Sequence, residues 1–175
     1  MEHVYDVVVV GTGIAGLSAA IMLKEHGHDV VVLSKADEAR DTATNLAQGG
    51  IIAWHETDTS RLLEADILRA GCGYNQRSAA HLIAEKGPEL VFDFLIDKVG
   101  IEFSKTEAGG LDYTEEAAHS RRRILHFSDH TGEEIQRALI AYAEKIGLTI
   151  LTGHMAIDLI TNNHHSRDTQ ELYRP

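Results

Sequence analysis

An α/β fold with a parallel sheet is predicted for this 175-residue chain by three observations. Residues 4–10 form a β-branched run that stops at glycine, as a strand buried on both faces does. Residues 14–26 carry a helical pattern, and Gly27 stands where a helix stops. Residues 29–33 form a second short apolar run. Strand, glycine turn, helix and strand in that order make a parallel βαβ unit with a right-handed crossover, here a core over 4–33.

The remaining elements follow in order. Residues 34–50 read as a long polar loop that runs into the apolar Ile51-Ile52-Ala53, and long loops in compact domains are functional or disordered. The stretch 59–99 is helical. Within it, 60–70 is amphipathic through Leu62, Leu63, Ile67 and Leu68 and ends at Gly71, while 78–98 holds one or two helices interrupted near Gly87-Pro88. Residues 100–127 are irregular, with a turn at Gly109-Gly110 and a strand over 122–127. Thr131-Gly132-Glu133-Glu134 has the form of a capping box that opens a helix to Lys145. Strands over 148–151 and 156–160 complete a helix-and-strand segment at 131–161. The tail 161–175 is polar and has no closing element, so the sheet is expected to be incomplete at its C-terminal end.

Composition excludes several classes. Sixteen Lys and Arg against 27 Asp and Glu give a net charge of −11, which repels nucleic acid and anionic lipid. The uncharged run 7–23 is short for a membrane span and is broken by Gly11, Thr12, Gly13, Gly16 and Ser18, so it reads as strand, turn and helix. The single cysteine, Cys72, rules out an internal disulfide and a multi-cysteine metal site, and points to a reducing, cytoplasmic setting. Between Gly71 and Gly73 it is expected to be packed rather than reactive. The acidic start lacks the basic flank of a signal peptide. His119, His126 and His130 lack metal-ligand spacing, and His164-His165 lies in the polar tail, so no metal site is expected.

The chemistry concentrates in glycine segments. Gly11-Thr12-Gly13-Ile14-Ala15-Gly16 follows a strand and opens a helix, which is the Rossmann-like setting for a dinucleotide. Gly11 permits the tight turn, Gly13 lets backbone amides approach a pyrophosphate, and Gly16 lets helix and strand pack closely. The helix N-terminus then offers free donors and a favourable dipole. Where the second strand ends, an acid often binds ribose; here Ser34-Lys35 stands, a hydroxyl for ribose and a lysine that either reaches phosphate or is merely solvated. Asp37 and Glu38 read as solvated. Ala47-Gln48-Gly49-Gly50-Ile51 either brings backbone close to a flat ring or is an ordinary turn. Arg121, Arg122 and Arg123 alternate in direction along a strand, so at least two are structural or exposed. Thr114-Glu115-Glu116 alone reads as a solvated stretch.

Taken together, Gly11 to Gly16, Ser34-Lys35, Asn45 to Ile51, His119-Ser120-Arg121-Arg122-Arg123-Ile124-Leu125-His126 and Asp129-His130-Thr131-Gly132 stand in the order found in the L-aspartate oxidase family. That family belongs to the succinate dehydrogenase/fumarate reductase flavoprotein superfamily. The chain resembles the N-terminal part of a member. The resemblance implies an FAD-binding domain with the capping domain absent. It places Thr12, Gly13, Ile14 and Ala15 at the FAD diphosphate, within the turn framed by Gly11 and Gly16. It places Ser34 and Lys35 toward the adenosine, and Ala43, Thr44, Asn45, Leu46, Ala47, Gln48, Gly49 and Gly50 around the cofactor near the flavin. Relatives with covalent FAD carry histidine five residues before the glutamine of this segment; Ala43 stands there, which implies non-covalent FAD and weighs against a succinate dehydrogenase. Glu116, three residues before His119-Ser120, matches an acid that orients the amino group of aspartate. Ala117-Ala118 replace two glycines common in the family, and a methyl group there bears on the backbone that places Glu116.

The implied activity is oxidation of L-aspartate to iminoaspartate in de novo NAD biosynthesis through quinolinate, with oxygen or fumarate as acceptor and quinolinate synthase as partner. Residues clamping the substrate carboxylates lie further along in the family, so the chain alone is expected to be inactive. Two other readings stay open: a succinate- or fumarate-directed flavoprotein, and a non-catalytic dinucleotide-binding module.

Overall fold

The computed structural model describes residues 3–159. The elements are β1 Val7–Val10, α1 Ile14–Glu25, β2 Val30–Leu33, β3 Ile51–Ile52, α2 Ser60–Ala70, α3 Arg77–Leu90, a π-wound segment Val91–Val99, β4 Tyr113–Thr114, β5 Ile124–Leu125, α4 Thr131–Lys145 and β6 Thr149–Leu151. The β-branched runs become the parallel sheet, in the order β1-β2-β6. Val9 lies opposite Val32, and Val32 opposite Ile150, so one face carries Val7, Val9, Val30, Val32 and Ile150. α1 covers that face with Leu17, Ala20 and Ile21, and α4 packs on α1 with Ala138, Leu139 and Ala143, all buried. Phe94, Leu95 and Val99 of the π-wound segment close the same core, with Ile101 and Phe103.

The opposite face differs from expectation. Val30, Val31 and Val32 of the central strand β2 are buried and Leu33 is half-buried, whereas β1 lies at the sheet edge among the described residues. Val8 is 54% and Val10 65% exposed while Val7 and Val9 are half-buried, so β1 packs on one face only. Strand β1 also begins at Val7 rather than at position 4.

A second, antiparallel sheet of order β3-β5-β4 was not legible in the sequence. Its strands are two residues each, and the predicted strand over 122–127 contracts to Ile124–Leu125. On either side of it the chain bonds singly: Ala53 N–H donates to the Arg123 carbonyl and Ser104 N–H to that of His126, both at 2.8 Å.

Three further expectations change. Pro88 does not interrupt the helix; it is buried within α3, and the winding widens only from Val91, where the chain passes into i+5 bonding such as Gly100 N–H to the Leu95 carbonyl. Proline removes one donor and crowds the preceding turn, and the buried packing of Pro88 holds α3 together in spite of it. The capping box does not form. Thr131 lies inside the first turn of α4, where its Oγ1 accepts from Phe127 N–H at 2.9 Å, and Glu134 turns away to Arg137 and the Glu102 amide. Residues 156–159 form no strand, and Ile160 and the tail 161–175 lie outside the described residues. Helices α2 and α4 keep the predicted bounds, and Thr59 Oγ1 caps α2 by accepting from Leu62 N–H.

The unequal burial of the valines predicts unequal tolerance. Val8→Thr and Val10→Thr should each change stability by less than about 0.5 kcal/mol. Val32→Thr, which buries an unpaired hydroxyl, should cost about 1–3 kcal/mol. Urea unfolding of the three variants checks this.

Candidate functional site

The site lies where β1 and β2 end and α1 begins. Gly11 has φ of +106°, a value suited only to glycine, and its N–H donates to the Leu33 carbonyl at 2.8 Å, tying the turn to the end of β2. A Cβ at Gly16 would stand 2.0 Å from the Gly11 carbonyl oxygen, so α1 seats on the turn only because position 16 has no side chain. Gly13 serves as N-cap of α1 without a side-chain bond. The cap comes instead from thirty residues away: Ile14 N–H donates to Thr44 Oγ1 at 3.0 Å. Thr12 is buried, and its Oγ1 has no hydrogen-bond partner among the described residues.

Around this turn is a cleft of about 420 Å³ lined by Gly11, Thr12, Gly13, Ser34, Lys35, Ala43 and Thr44 among others. It has the parts that an anionic diphosphate needs: a helix N-terminus, a glycine turn, a buried hydroxyl lacking a partner, and one lysine at the wall. Ser34 is buried and its Oγ accepts from Ala36 N–H at 3.3 Å, whereas Lys35 is exposed. A second hollow of about 190 Å³ is bounded by Ile14, Thr44, Ala47, Gly49 and Gly50 and by the start of α4. Thr44 lines both, so it joins the turn to the later glycine segment. The other expected residues fall outside these hollows. Ala15 points to solvent and Gly16 is packed, Leu46 and Gln48 are exposed, and Asn45 lines a separate cleft beside Arg40 and Arg137.

Sequence reasoning missed several residues here. Asp41 and Thr42 line the cleft, and so do His154, Met155 and Ala156. This last segment follows β6 and is held by backbone bonds from Gly153 to Ala36 and His154 to Ser34, both at 2.8 Å. No motif marks it. Gly132 and Gln136 of α4 were also missed. Gly132 N–H donates to the Ala47 carbonyl at 2.9 Å, and Gln136 is fully buried. A glutamine amid Ile135, Ala138 and Leu139 was the available signal.

Glu116 is exposed, and its carboxylate lies beside Gly49: a Cβ built there would be 3.4 Å from Oε1. The turn carrying it is strained, since Ala118 adopts φ of +69°, the left-handed conformation that glycine tolerates better. It is held from α2. Arg69 donates to the Ala118 carbonyl at 3.0 Å, and Asp66 Oδ2 accepts from both the amide and the hydroxyl of Ser120 at 2.8 Å. Of the three arginines, Arg121 and Arg122 are exposed and Arg123 is completely buried. Arg123 donates to both oxygens of Asp58, to Asp66 Oδ2 and to His119 Nδ1. All three are therefore structural or exposed. Burial alone would raise the Asp66 carboxyl, but Arg123 and Ser120 hold it far below the usual carboxylate range. Cys72 is exposed in the turn after α2, not packed as expected. Among the described residues no group of histidine, cysteine and carboxylate side chains could hold a metal, and no helix is long and apolar enough to cross a membrane.

Comparison with known proteins places these features. The FAD binding domain family matches residues 6–170. L-aspartate oxidase of Mycobacterium leprae is 40% identical over 163 residues, covering 91% of this chain and 30% of that protein. L-aspartate oxidase of Vibrio cholerae is 39% identical over 178 residues, covering 98% of this chain and 32% of the relative. The chain thus spans about 30% of the length of such relatives. Among solved structures, the Mycobacterium smegmatis Sdh1 complex matches with a TM-score of 0.75 and 28% identity, over 86% of this chain and 28% of that one. An open flavocytochrome c3 fumarate reductase matches in fold with a TM-score of 0.80 and 22% identity, over 93% of this chain and 29% of that one.

The Arg123 cluster yields a prediction with a defined sign. Asp66→Asn should cost about 3–5 kcal/mol near neutral pH, since it removes one charge from a buried network. The depressed carboxyl contributes its full stability above the ordinary carboxylate pKa of about 3.9, and that contribution is withdrawn as pH falls below it. The gap between wild type and variant should therefore narrow in acid, as read from urea midpoints across pH 3–7.

Proposed function

Because this chain belongs to the FAD binding domain family, we propose that it forms the cofactor-holding part of an oxidoreductase that converts L-aspartate to iminoaspartate. The observation that carries this reading is the Glu116 carboxylate standing beside Gly49, on a segment that also borders the glycine turn. An acid at that place suits an α-ammonium group, and the two acids in aspartate alone would not call for it. The similarity of about 40% to relatives named L-aspartate oxidase supports the same reading.

Bound FAD supplies the acceptor for the electron pair of the substrate Cα–H bond. The chain's own groups bind and orient. The turn amides at Thr12 and Gly13 and the helix N-terminus at Ala15 would hold the diphosphate. Ile14 acts at one remove: its N–H is bonded to Thr44 Oγ1, and that hydroxyl still has its own proton to donate to a phosphate oxygen. Thr12 Oγ1, buried without a partner, gains one there. Lys35 neutralises charge toward the adenosine side and Ser34 lies beside it. Of residues 43–50, Ala43, Thr44, Ala47, Gly49 and Gly50 line the two hollows and would lie along the cofactor toward the flavin. Ala43 has only a methyl group, with no nitrogen to bond the flavin, so the cofactor is held without a covalent link. Glu116 separates aspartate from succinate by the ammonium that only aspartate carries. Oxygen or fumarate would then take the electrons from the reduced cofactor.

Two measurements test this reading. Heat or acid denaturation should release all flavin into the supernatant, and flavin retained on the precipitated chain overturns the non-covalent assignment. In the full-length protein, Glu116→Gln should raise KM for L-aspartate about tenfold or more, the size of one lost charge-assisted contact. FAD affinity should stay unchanged. An unaltered KM removes Glu116 from substrate recognition.

A further inference from the structure

The loop over 39–47 supplies Asp41, Thr42, Ala43 and Thr44 to the cleft wall, yet it contains no regular element of its own. A segment of that kind is mobile unless something buried holds it. One side chain does so. Gln136 is completely buried in the middle of α4, and its amide bonds both the glycine turn and the loop. Nε2 donates to the carbonyl of Thr12 at 2.8 Å, in the glycine turn, and to the carbonyl of Ala39 at 3.3 Å, in the loop. Oε1 accepts from the hydroxyl of Thr42 at 2.9 Å. Carbonyls only accept, so the orientation of the amide is fixed by its partners. Thr42 Oγ1 in turn accepts from Asn45 N–H at 3.1 Å and so extends the tether along the loop.

One helical turn earlier on the same face of α4 stands Gly132. Its N–H holds the Ala47 carbonyl, and a Cβ there would lie 1.9 Å from the Thr44 carbonyl oxygen. α4 thus grips the loop at Thr42 through Gln136 and at Thr44 to Ala47 through Gly132. Thr44 then caps α1 at Ile14, and Gln136 closes the circuit on Thr12.

We infer that Gln136 is a positioning residue for FAD: it touches no cofactor itself, but its buried amide locks the 39–47 loop to the glycine turn, so that the Thr12 turn and Thr44 are presented together to the diphosphate. The inference rests on the chain's membership of the FAD binding family, and its test separates the two. Buried amides that satisfy two segments at once are costly to leave half paired, which is why replacing this one should loosen the loop rather than only lower stability.

The test uses this chain with three substitutions. Gln136→Leu removes all three bonds, Gln136→Met does so at nearly the same length, and Leu139→Ala opens a cavity in the same helix without touching the loop. Hydrogen exchange on the FAD-free chain is read at the amides of Ile14, Asn45 and Gly132, and FAD affinity is read by titration calorimetry. Gln136→Leu and Gln136→Met should speed exchange at Ile14 and Asn45 by at least tenfold and raise the FAD Kd by at least tenfold. Leu139→Ala should lower the melting temperature by as much or more, with Kd within twofold of wild type. If either Gln136 variant keeps wild-type exchange at Asn45, the inference is overturned. It is also overturned if Kd follows melting temperature along one line for all three. Should Gln136→Leu prevent folding, Gln136→Met decides alone. If wild type takes up no FAD, the cofactor reading fails while exchange at Ile14 and Asn45 still decides whether Gln136 locks the loop.

Discussion

The oxygen of Gly11 occupies the space that a side chain at position 16 would need. Helix α1 therefore rests on the turn that begins it, closer than any residue but glycine permits, and the first half of the site is placed by that contact. It sets the helix N-terminus at the ends of β1 and β2, where an open parallel sheet presents its crevice. It also brings the helix near enough to the long loop for Thr44 to serve as its cap. A helix seated further out would leave Ile14 N–H unpaired and the cleft without its inner wall.

The second half of the site depends on α4, which lies far along the chain. The glycine turn belongs to the first βαβ unit, and the loop is its immediate continuation, but neither holds the other except through Thr44. α4 supplies the rest, with a glycine against the loop backbone and a glutamine between the loop and the turn. Behind Glu116 the arrangement is analogous. α2 supplies Asp66 and Arg69, and these fix a strained turn from below while Arg123 neutralises the buried acids. In both places a helix remote in sequence uses buried polar groups to define loop geometry that the loop residues do not define themselves.

Much of this was legible in the residues. Periodicity and glycine placement located α1, α2, α4 and the parallel strands, because these elements are long or strongly apolar enough for local pattern to decide. The glycine fingerprint located the cleft. The short antiparallel sheet was hidden, since two-residue strands carry no alternation. Pro88 misled because tertiary packing absorbed it. Val8 and Val10 were read as buried because β-branched runs look alike at the edge and centre of a sheet. The capping box failed because Thr131 found a partner in Phe127 instead. Gln136 was visible as a break in an apolar stripe, but the sequence does not say what a buried amide faces. The resemblance to a family through joint motifs carried further than any single motif, and the match of the FAD binding domain family to residues 6–170 agrees with it.

Cys72 has a practical consequence. It is the sole thiol in the sequence, it stands open to solvent after α2, and none of the hollows around the glycine turn includes it. A maleimide dye or a surface tether would therefore attach at one chemically defined point and leave the walls of the cleft unmodified. Immobilised in that way, every copy would present its crevice in the same orientation.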